Sequence, residues 1–259
     1  MQYINYNKQN GGAGLFFKNN TKFFIMANVS NSNIISEIDN RRKLLLLGNK
    51  PVHSDVHFTL LQFNINQDHP NAKFFYDPVF HRKIWDFYDD SIRKNKLTLK
   101  YIRGLYDLLG LGEKKFFAKI YQPNQPELIT EFRKAIYKYI GSELGKYKIR
   151  KKKIGKDMFY VFSLKGMDLI SVPEFYFGIG VWTPHISVVN LKDVAKYNQK
   201  LYKKYEDYKT KRNKLNTLLQ PILKAKFDPI GDINMEQDVN FLRVSLQNSE
   251  ERIHIESIL

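Results

Sequence analysis

The chain has no cysteine among its 259 residues. That excludes disulfide bonds, thiolate nucleophiles and zinc–thiolate sites. Long apolar runs are missing too. No run, Leu44–Leu47 included, comes near the roughly 18–20 residues a membrane span needs, so no membrane partner is expected. The first ten residues, MQYINYNKQN, lack the apolar core of a secretory signal, which makes the cytoplasm the expected location. Gly11, Gly12 and Gly14 are not followed by the Gly-Lys-Ser/Thr of a phosphate-cradling loop. No internal repeat of solenoid length is visible. Acidic residues are scarce, 26 Asp+Glu against 42 Lys+Arg, and they form no obvious metal cage; no metal or other cofactor is expected.

What is present describes a globular protein. Hydrophobic residues make up 43% and aromatics 14%, far more than a disordered chain carries. The length suits one large domain, or two lobes sharing a core. The net charge of +16 attracts phosphate-rich partners such as RNA, DNA, nucleotides or anionic lipid. A solvated lysine surface is the competing explanation for each basic cluster.

Residues 1–21 read as a flexible arm, and 22–259 as the folded part. Lys22–Val29 is a compact apolar run, hence a strand. Asn31–Leu47 reads as a helix with Ser32 or Asn33 near its N-cap. Val56–Phe63 reads as a second strand, and Phe74–Lys94 is aromatic-rich with weak helical periodicity around Ile84–Ile92. Leu97–Ile102 and Lys115–Tyr121 read as strands. Pro126 opens a helix to about Ile140, with Glu127 at the positive end of its dipole. Lys146–Lys156 is strongly basic and reads as an exposed loop or hairpin. Met158–Leu164, Glu174–Val181 and Ile186–Val189 read as strands, and Asp193–Leu219 as one long basic helix. Asn240–Leu246 and Arg252–Ile258 form a hairpin signature. This mixed order predicts α+β with largely antiparallel sheets.

One short motif occurs twice: His57-Phe58-Thr59-Leu60 and His185-Ile186-Ser187-Val188. Each is His, apolar, hydroxyl, apolar, and each falls in a predicted strand. Side chains alternate faces along a strand, so each segment has a core face and a face pairing an imidazole with a hydroxyl. Phosphodiester cleavage needs one group to take a proton from the attacking hydroxyl or water and another to protonate the leaving oxygen. Two imidazoles, titrating near 6.5 when unperturbed, can hold opposite protonation states near neutral pH. The hydroxyls can donate to phosphate oxygens as charge builds.

At these residues the sequence resembles the 2H phosphoesterase superfamily, the LigT-like enzymes defined by two His-apolar-Thr/Ser-apolar motifs. KFFIMANV and the following helix look like the family's opening. Leu97–Ile136 looks like its strand–strand–helix segment, Trp182-Thr183-Pro184-His185 like its approach to the second motif, and Leu242–Ile258 like its closing hairpin. The spacing between motifs is longer than in compact members, the excess falling around Asp68–Asp90 and in a basic insertion near 146–172. The resemblance implies a bilobal fold, two mainly antiparallel sheets facing a central cleft with helices outside. It also implies catalysis by His57 and His185, which exchange roles as base and acid, with Thr59 and Ser187 holding the phosphate.

Around the motifs, Tyr176 and Trp182 could stack a base, with core packing as the alternative. Arg243 could contact phosphate or stand in solvent. Asp55 shares the face of His57 and could orient it, with a solvated carboxylate as the alternative. His53, His69, His81 and His254 lack the motif and read as structural or exposed. Tyr197, Leu201, Tyr205 and Tyr208 read as a core-facing stripe.

The expected function is a metal-independent phosphodiesterase acting on RNA-type linkages. Family likeness implies 2′-5′ oligoadenylate, cyclic dinucleotide or 2′,3′-cyclic phosphate as nucleotide or oligonucleotide substrates. The expected partners include RNA along the basic surface, and the expected state is a monomer. Viral members use such activity to erase host nucleotide alarms, and an Asn/Lys/Ile/Tyr-rich composition suits an AT-rich viral genome. The competing reading is a non-catalytic RNA- or nucleotide-binding module on the same fold. A ligase or cyclase partner domain ranks last, as no Lys-containing nucleotidyl-transfer motif is identifiable.

Overall fold

The computed structural model describes residues 17–51, 55–107, 116–155, 157–177, 184–203, 231–248 and 252–258. These residues build an α+β fold with two antiparallel sheets. The first ordered strand, β1 (Asn20–Val29), leads to α1 (Ser32–Leu45) and β2 (His57–Asn66). A 3-10 turn (Ala72–Tyr76), α2 (Pro78–Tyr88) and a π turn (Asp89–Arg93) follow. Then come β3 (Thr98–Asp107), β4 (Phe116–Pro123) and α3 (Pro126–Leu144). Three strands, β5 (Tyr147–Ile154), β6 (Asp157–Leu164) and β7 (Met167–Pro173), precede the single turn α4 (Glu174–Phe177). The chain closes with β8 (His185–Asn190), α5 (Leu191–Tyr197), β9 (Ile233–Asn234), β10 (Val239–Gln247) and β11 (Arg252–Ile258).

The larger sheet has seven strands in the order β11-β10-β1-β2-β7-β6-β5, the smaller four in the order β8-β4-β3-β9. The basic segment thus contributes the outer part of the large sheet. Within it Tyr147–Ile154 forms one strand of a hairpin at the sheet edge, its side chains mostly exposed. Lys151 pairs with Glu174 at 2.6 Å and Arg150 with Asp168. Lysines on an edge strand also discourage pairing with another chain.

Each sheet is braced by a helix that follows a strand of the other. α1 leaves β1 of the large sheet, yet Arg42 on it reaches the β8 backbone. α3 leaves β4 of the small sheet, yet Arg133 on it bonds the β2 backbone and Tyr137 packs on Phe162 of β6 at 5.2 Å. α3 starts at Pro126, whose missing N–H costs nothing in a first turn. Its apolar positions Ile129, Phe132, Ile136 and Ile140 recur at helical spacing and are buried. Under the large sheet Phe23 stacks on Phe63 at 4.6 Å, with Phe75 and Phe80 against them.

Several elements differ from the sequence expectation. The α1 N-cap is Asn31, whose Oδ1 accepts from the N–H groups of Asn33 (3.0 Å) and Ile34 (3.2 Å). Asn20 and Thr21, expected in the arm, open β1; the rest of the arm up to residue 16 lies outside the described residues. Glu174–Phe177 is a helical turn and not a strand. Its aromatics carry no strand period, and Phe177 stacks on Tyr160 at 3.9 Å. The strand β7 just before it is not evident from sequence, because a short apolar run has no distinguishing period. The helix expected over Asp193–Leu219 is interrupted at Asn198, which has φ −140°, and resumes over 199–203. Asn198 Oδ1 caps the N–H of Leu201 and its Nδ2 donates to the Leu45 carbonyl. Residues 204–230, with Tyr205 and Tyr208, lie outside the described residues. No helix among the described residues is long and apolar enough to cross a membrane.

Candidate active site

His57 and His185 are the first residues of β2 and β8. Both strands show the same alternation. His57 and Thr59 are half-buried between the fully buried Phe58 and Leu60; His185 and Ser187 are half-buried beside the buried Ile186 and Val188. Each imidazole therefore shares a face with its hydroxyl, and the apolar pair anchors the other face in the core.

The likeness between the two strands extends into the backbone. β2 pairs with β1 through Ile25↔Leu61 and Met26↔Thr59, leaving Leu60 as the extra residue of a bulge. β8 pairs with β4 through Phe117↔Val189 and Ala118↔Ser187, leaving Val188 as the extra residue. Both bulges fall on the fourth residue of the tetrapeptide. A bulge bends the strand and leaves a carbonyl outside the ladder. In each case a buried arginine takes that carbonyl. Arg133 Nε and Nη2 donate to Leu60 O at 2.9 and 2.8 Å, and Arg42 Nε donates to Val188 O at 2.9 Å. Arg133 is 1% exposed and Arg42 3%.

These arginines also fix what surrounds the motifs. Arg42 Nη2 lies 3.2 Å from the carbonyl of Asp55 and 3.5 Å from that of Ser187. One guanidinium thus touches both the residue two before His57 and the second motif itself. β2 and β8 approach within 8 Å between Cα atoms. Phe58 meets Tyr121 of β4 edge-on at 5.2 Å, and the Tyr121 N–H donates to the Pro184 carbonyl just ahead of His185. Arg133 Nη1 reaches Phe175 O at 3.4 Å, and its guanidinium lies 5.1 Å over the Tyr176 ring. Burial lowers the Arg133 pKa to about 10.

Tyr176 is 5% exposed, so its ring is packed in the core and offers no open stacking surface. Its hydroxyl shares a hydrogen bond with Thr59, and burial pushes its pKa up to about 12. Of the two readings of Tyr176, base stacking and core packing, the structure shows the second, with the hydroxyl holding the Thr59 side chain. Arg243 of β10 stands opposite Met26, which stands opposite Thr59, placing it one strand beyond the first motif on the same face. Its Nη1 pairs with the Asp55 carboxylate, so Asp55 is engaged by Arg243. Trp182 and His53 lie outside the described residues. His69 and His81 are buried on backbone partners: His69 Nδ1 accepts from the Asn71 N–H at 3.0 Å, and His81 Nε2 lies 2.8 Å from the Phe75 carbonyl. Among the described residues no three His, Asp or Glu side chains gather as a metal cage would require.

Arg42 and Arg133 carry no signal in the sequence. Each sits on a helix far from its motif, and only the folded register brings it to a bulge. Comparison of the chain with family models, with curated proteins and with solved structures finds no match.

Proposed function

We propose that the chain is a metal-independent phosphodiesterase of the 2H type that cleaves RNA-type linkages by two-histidine acid–base catalysis. The observation that supports this reading most directly is the doubled motif. Two strands from different sheets approach each other, and each carries an imidazole and a hydroxyl on one face above an arginine-held bulge. In this reading the two sheets form lobes flanking a central cleft. One imidazole takes the proton of the attacking hydroxyl or water while the other protonates the leaving oxygen. Thr59 and Ser187 donate to the non-bridging phosphate oxygens. Tyr176 orients the Thr59 hydroxyl through their shared hydrogen bond. The net charge of +16 draws the anionic substrate.

The test is incubation with 2′-5′ oligoadenylate, cyclic dinucleotides and 2′,3′-cyclic nucleotides in EDTA, followed by chromatography. Cleavage of at least one class, lost in His57→Ala and in His185→Ala, is the expected outcome. Failure to cleave any of them, or cleavage abolished by EDTA, overturns the reading.

A further inference from the structure

The face of the large sheet that carries His57 and Thr59 runs on to the sheet's basic edge. On β1, Asn28, Met26, Phe24 and Lys22 alternate onto one face, and they stand opposite His57, Thr59, Gln62 and Asn64 of β2. The row through Asn64 continues outward as Ser171 of β7, Val161 of β6 and Arg150 of β5. Opposed residues of an antiparallel pair share a face, so Arg150 stands on the face of the first motif. Lys148 and Lys152, two residues to either side of it, stand there too. The other row of β5 points to the opposite face, where Lys151 pairs with Glu174 of α4 and lies 5.5 Å over the Tyr160 ring.

Arg150 and Lys152 open onto a concavity of about 410 Å³, whose lining also includes Lys18, Asn66, Asp68 and Asp168. The acceptors in it are already engaged. Asp68 accepts from Asn19 Nδ2 at 3.1 Å, and Asp168 accepts from Ser163 Oγ at 2.6 Å and pairs with Arg150. Asn66 Oδ1 accepts from the Asp68 N–H at 3.1 Å. Lys148, Arg150 and Lys152 are all exposed, so a ligand can reach them. Protection of a sheet edge asks for charge on the strand, and does not ask for a row of cations on the motif face beside a cavity. Successive members of the row are about 6.8 Å apart, close to the pitch of phosphates along an extended nucleic-acid strand. Arg150 is three strand spacings, about 14 Å, from Asn64, which lies a further half-strand from Thr59, so the row stands about 20 Å from the first motif. A strand held at Thr59 by its scissile phosphate meets the row about three phosphates away.

We infer that Lys148, Arg150 and Lys152 form a distal phosphate subsite, so that the preferred substrate is a linear oligonucleotide of about four or more residues. This rests on the phosphodiester reading of the site. A cyclic dinucleotide is too short to touch both the motif and the row. Phosphates held far from the reacting bond contribute binding energy that a short substrate lacks.

The test compares two double variants of the same strand. Arg150→Ser with Lys152→Ser removes two charges from the motif face, and Lys151→Ser with Lys153→Ser removes two from the other, so the net charge changes equally. The substrates are linear 2′-5′ and 3′-5′ oligoadenylates of two and six nucleotides, with kcat/KM measured in EDTA at stepped salt. The first variant loses about 3–30-fold on the hexamer and nothing on the dimer, and its hexamer salt slope flattens by about one to two. The second variant stays close to wild type on both. Equal losses in the two variants make overall charge the cause and overturn the inference, as does a first variant that loses the same factor on dimer and hexamer. A wild type that cleaves cyclic dinucleotides or 2′,3′-cyclic nucleotides but no linear oligonucleotide also overturns it, and leaves the catalytic reading standing. A wild type that cleaves nothing sinks the catalytic reading, and fluorescence anisotropy of the labelled hexamers then decides the subsite. Binding weakened by the first variant alone upholds it; no binding, or equal binding by both variants, overturns it.

Discussion

β2 runs for ten residues between β1 and β7, whereas β8 runs for six at the edge of its sheet. The two strands nevertheless share a half-buried His and hydroxyl, a bulge at the fourth motif residue and an arginine on the bulge carbonyl. Their arginines are embedded differently. Arg133 lies against the Tyr176 ring in the core, while Arg42 also pairs with the half-exposed Asp39 at 3.0 Å. Arg133 serves one motif and the turn beside it. Arg42 spans the approach to the first motif and the body of the second. The shared parts are therefore the ones that aim the side chains, and the unshared parts reflect how much sheet already supports each strand.

If the two motifs act as one acid–base couple, the largest effects come from the histidines. His57→Ala and His185→Ala should each lower kcat about 10²–10⁴-fold, and the double variant should be little worse, because the groups act as a unit. A His57→Ala enzyme near wild type beside a dead His185→Ala enzyme would dissolve the symmetry. The hydroxyls come next: Thr59→Ala and Ser187→Ala should each cost about 10–10³-fold in kcat/KM.

Arginine removal separates the two frames. Arg133→Met strands the buried Leu60 carbonyl and Arg42→Met strands that of Val188, each costing about 1–3 kcal/mol in urea unfolding. Because Arg42 touches both motifs, Arg42→Met should lower kcat more than Arg133→Met at comparable stability loss. Equal kcat losses would show that bridging the motifs has no catalytic weight.

The smallest effects belong to two tyrosines. Tyr176→Phe removes the partner of the Thr59 hydroxyl and should slow turnover by a few-fold; Tyr121→Phe, whose hydroxyl is buried without a partner among the described residues, should leave turnover unchanged. Both also enter the pH dependence of stability. Burial raises the Tyr176 pKa from an ordinary 10 to about 12, so the folded state holds this proton more tightly than the unfolded chain. Its stabilisation is complete below pH 10 and disappears as pH rises through about 12. Tyr176→Phe should therefore flatten the alkaline loss of stability in that window, measured by thermal melts at stepped pH. Burial also raises the Tyr121 pKa, and Tyr121→Phe should flatten the loss in the same direction. An unchanged alkaline profile in both variants would mean that other groups carry it.

The repeated tetrapeptides, the alternation of faces and most strands were legible from the sequence, because strand period and turn chemistry act over a few residues. So was the Lys-rich segment as a surface feature. The packing of Tyr176 was not legible, since an aromatic before a motif reads the same whether its ring faces a ligand or lies beneath an arginine. Glu174–Phe177 was misread for a related reason: its four residues hold no period, and contacts with Tyr160 and the Thr59 side chain decide its form.

By itself the sequence determined which residues pair an imidazole with a hydroxyl, that the chain folds as α+β, and that its surface is strongly basic. Only the tertiary structure decided that the two motif strands approach each other, that Arg42 and Arg133 seize their bulges, and that Asn28 is buried opposite His57. Local periodicity is written in neighbouring residues. Register between strands, and the reach of a helix arginine to a distant carbonyl, depend on contacts between residues far apart in the chain, which arise when the whole core packs.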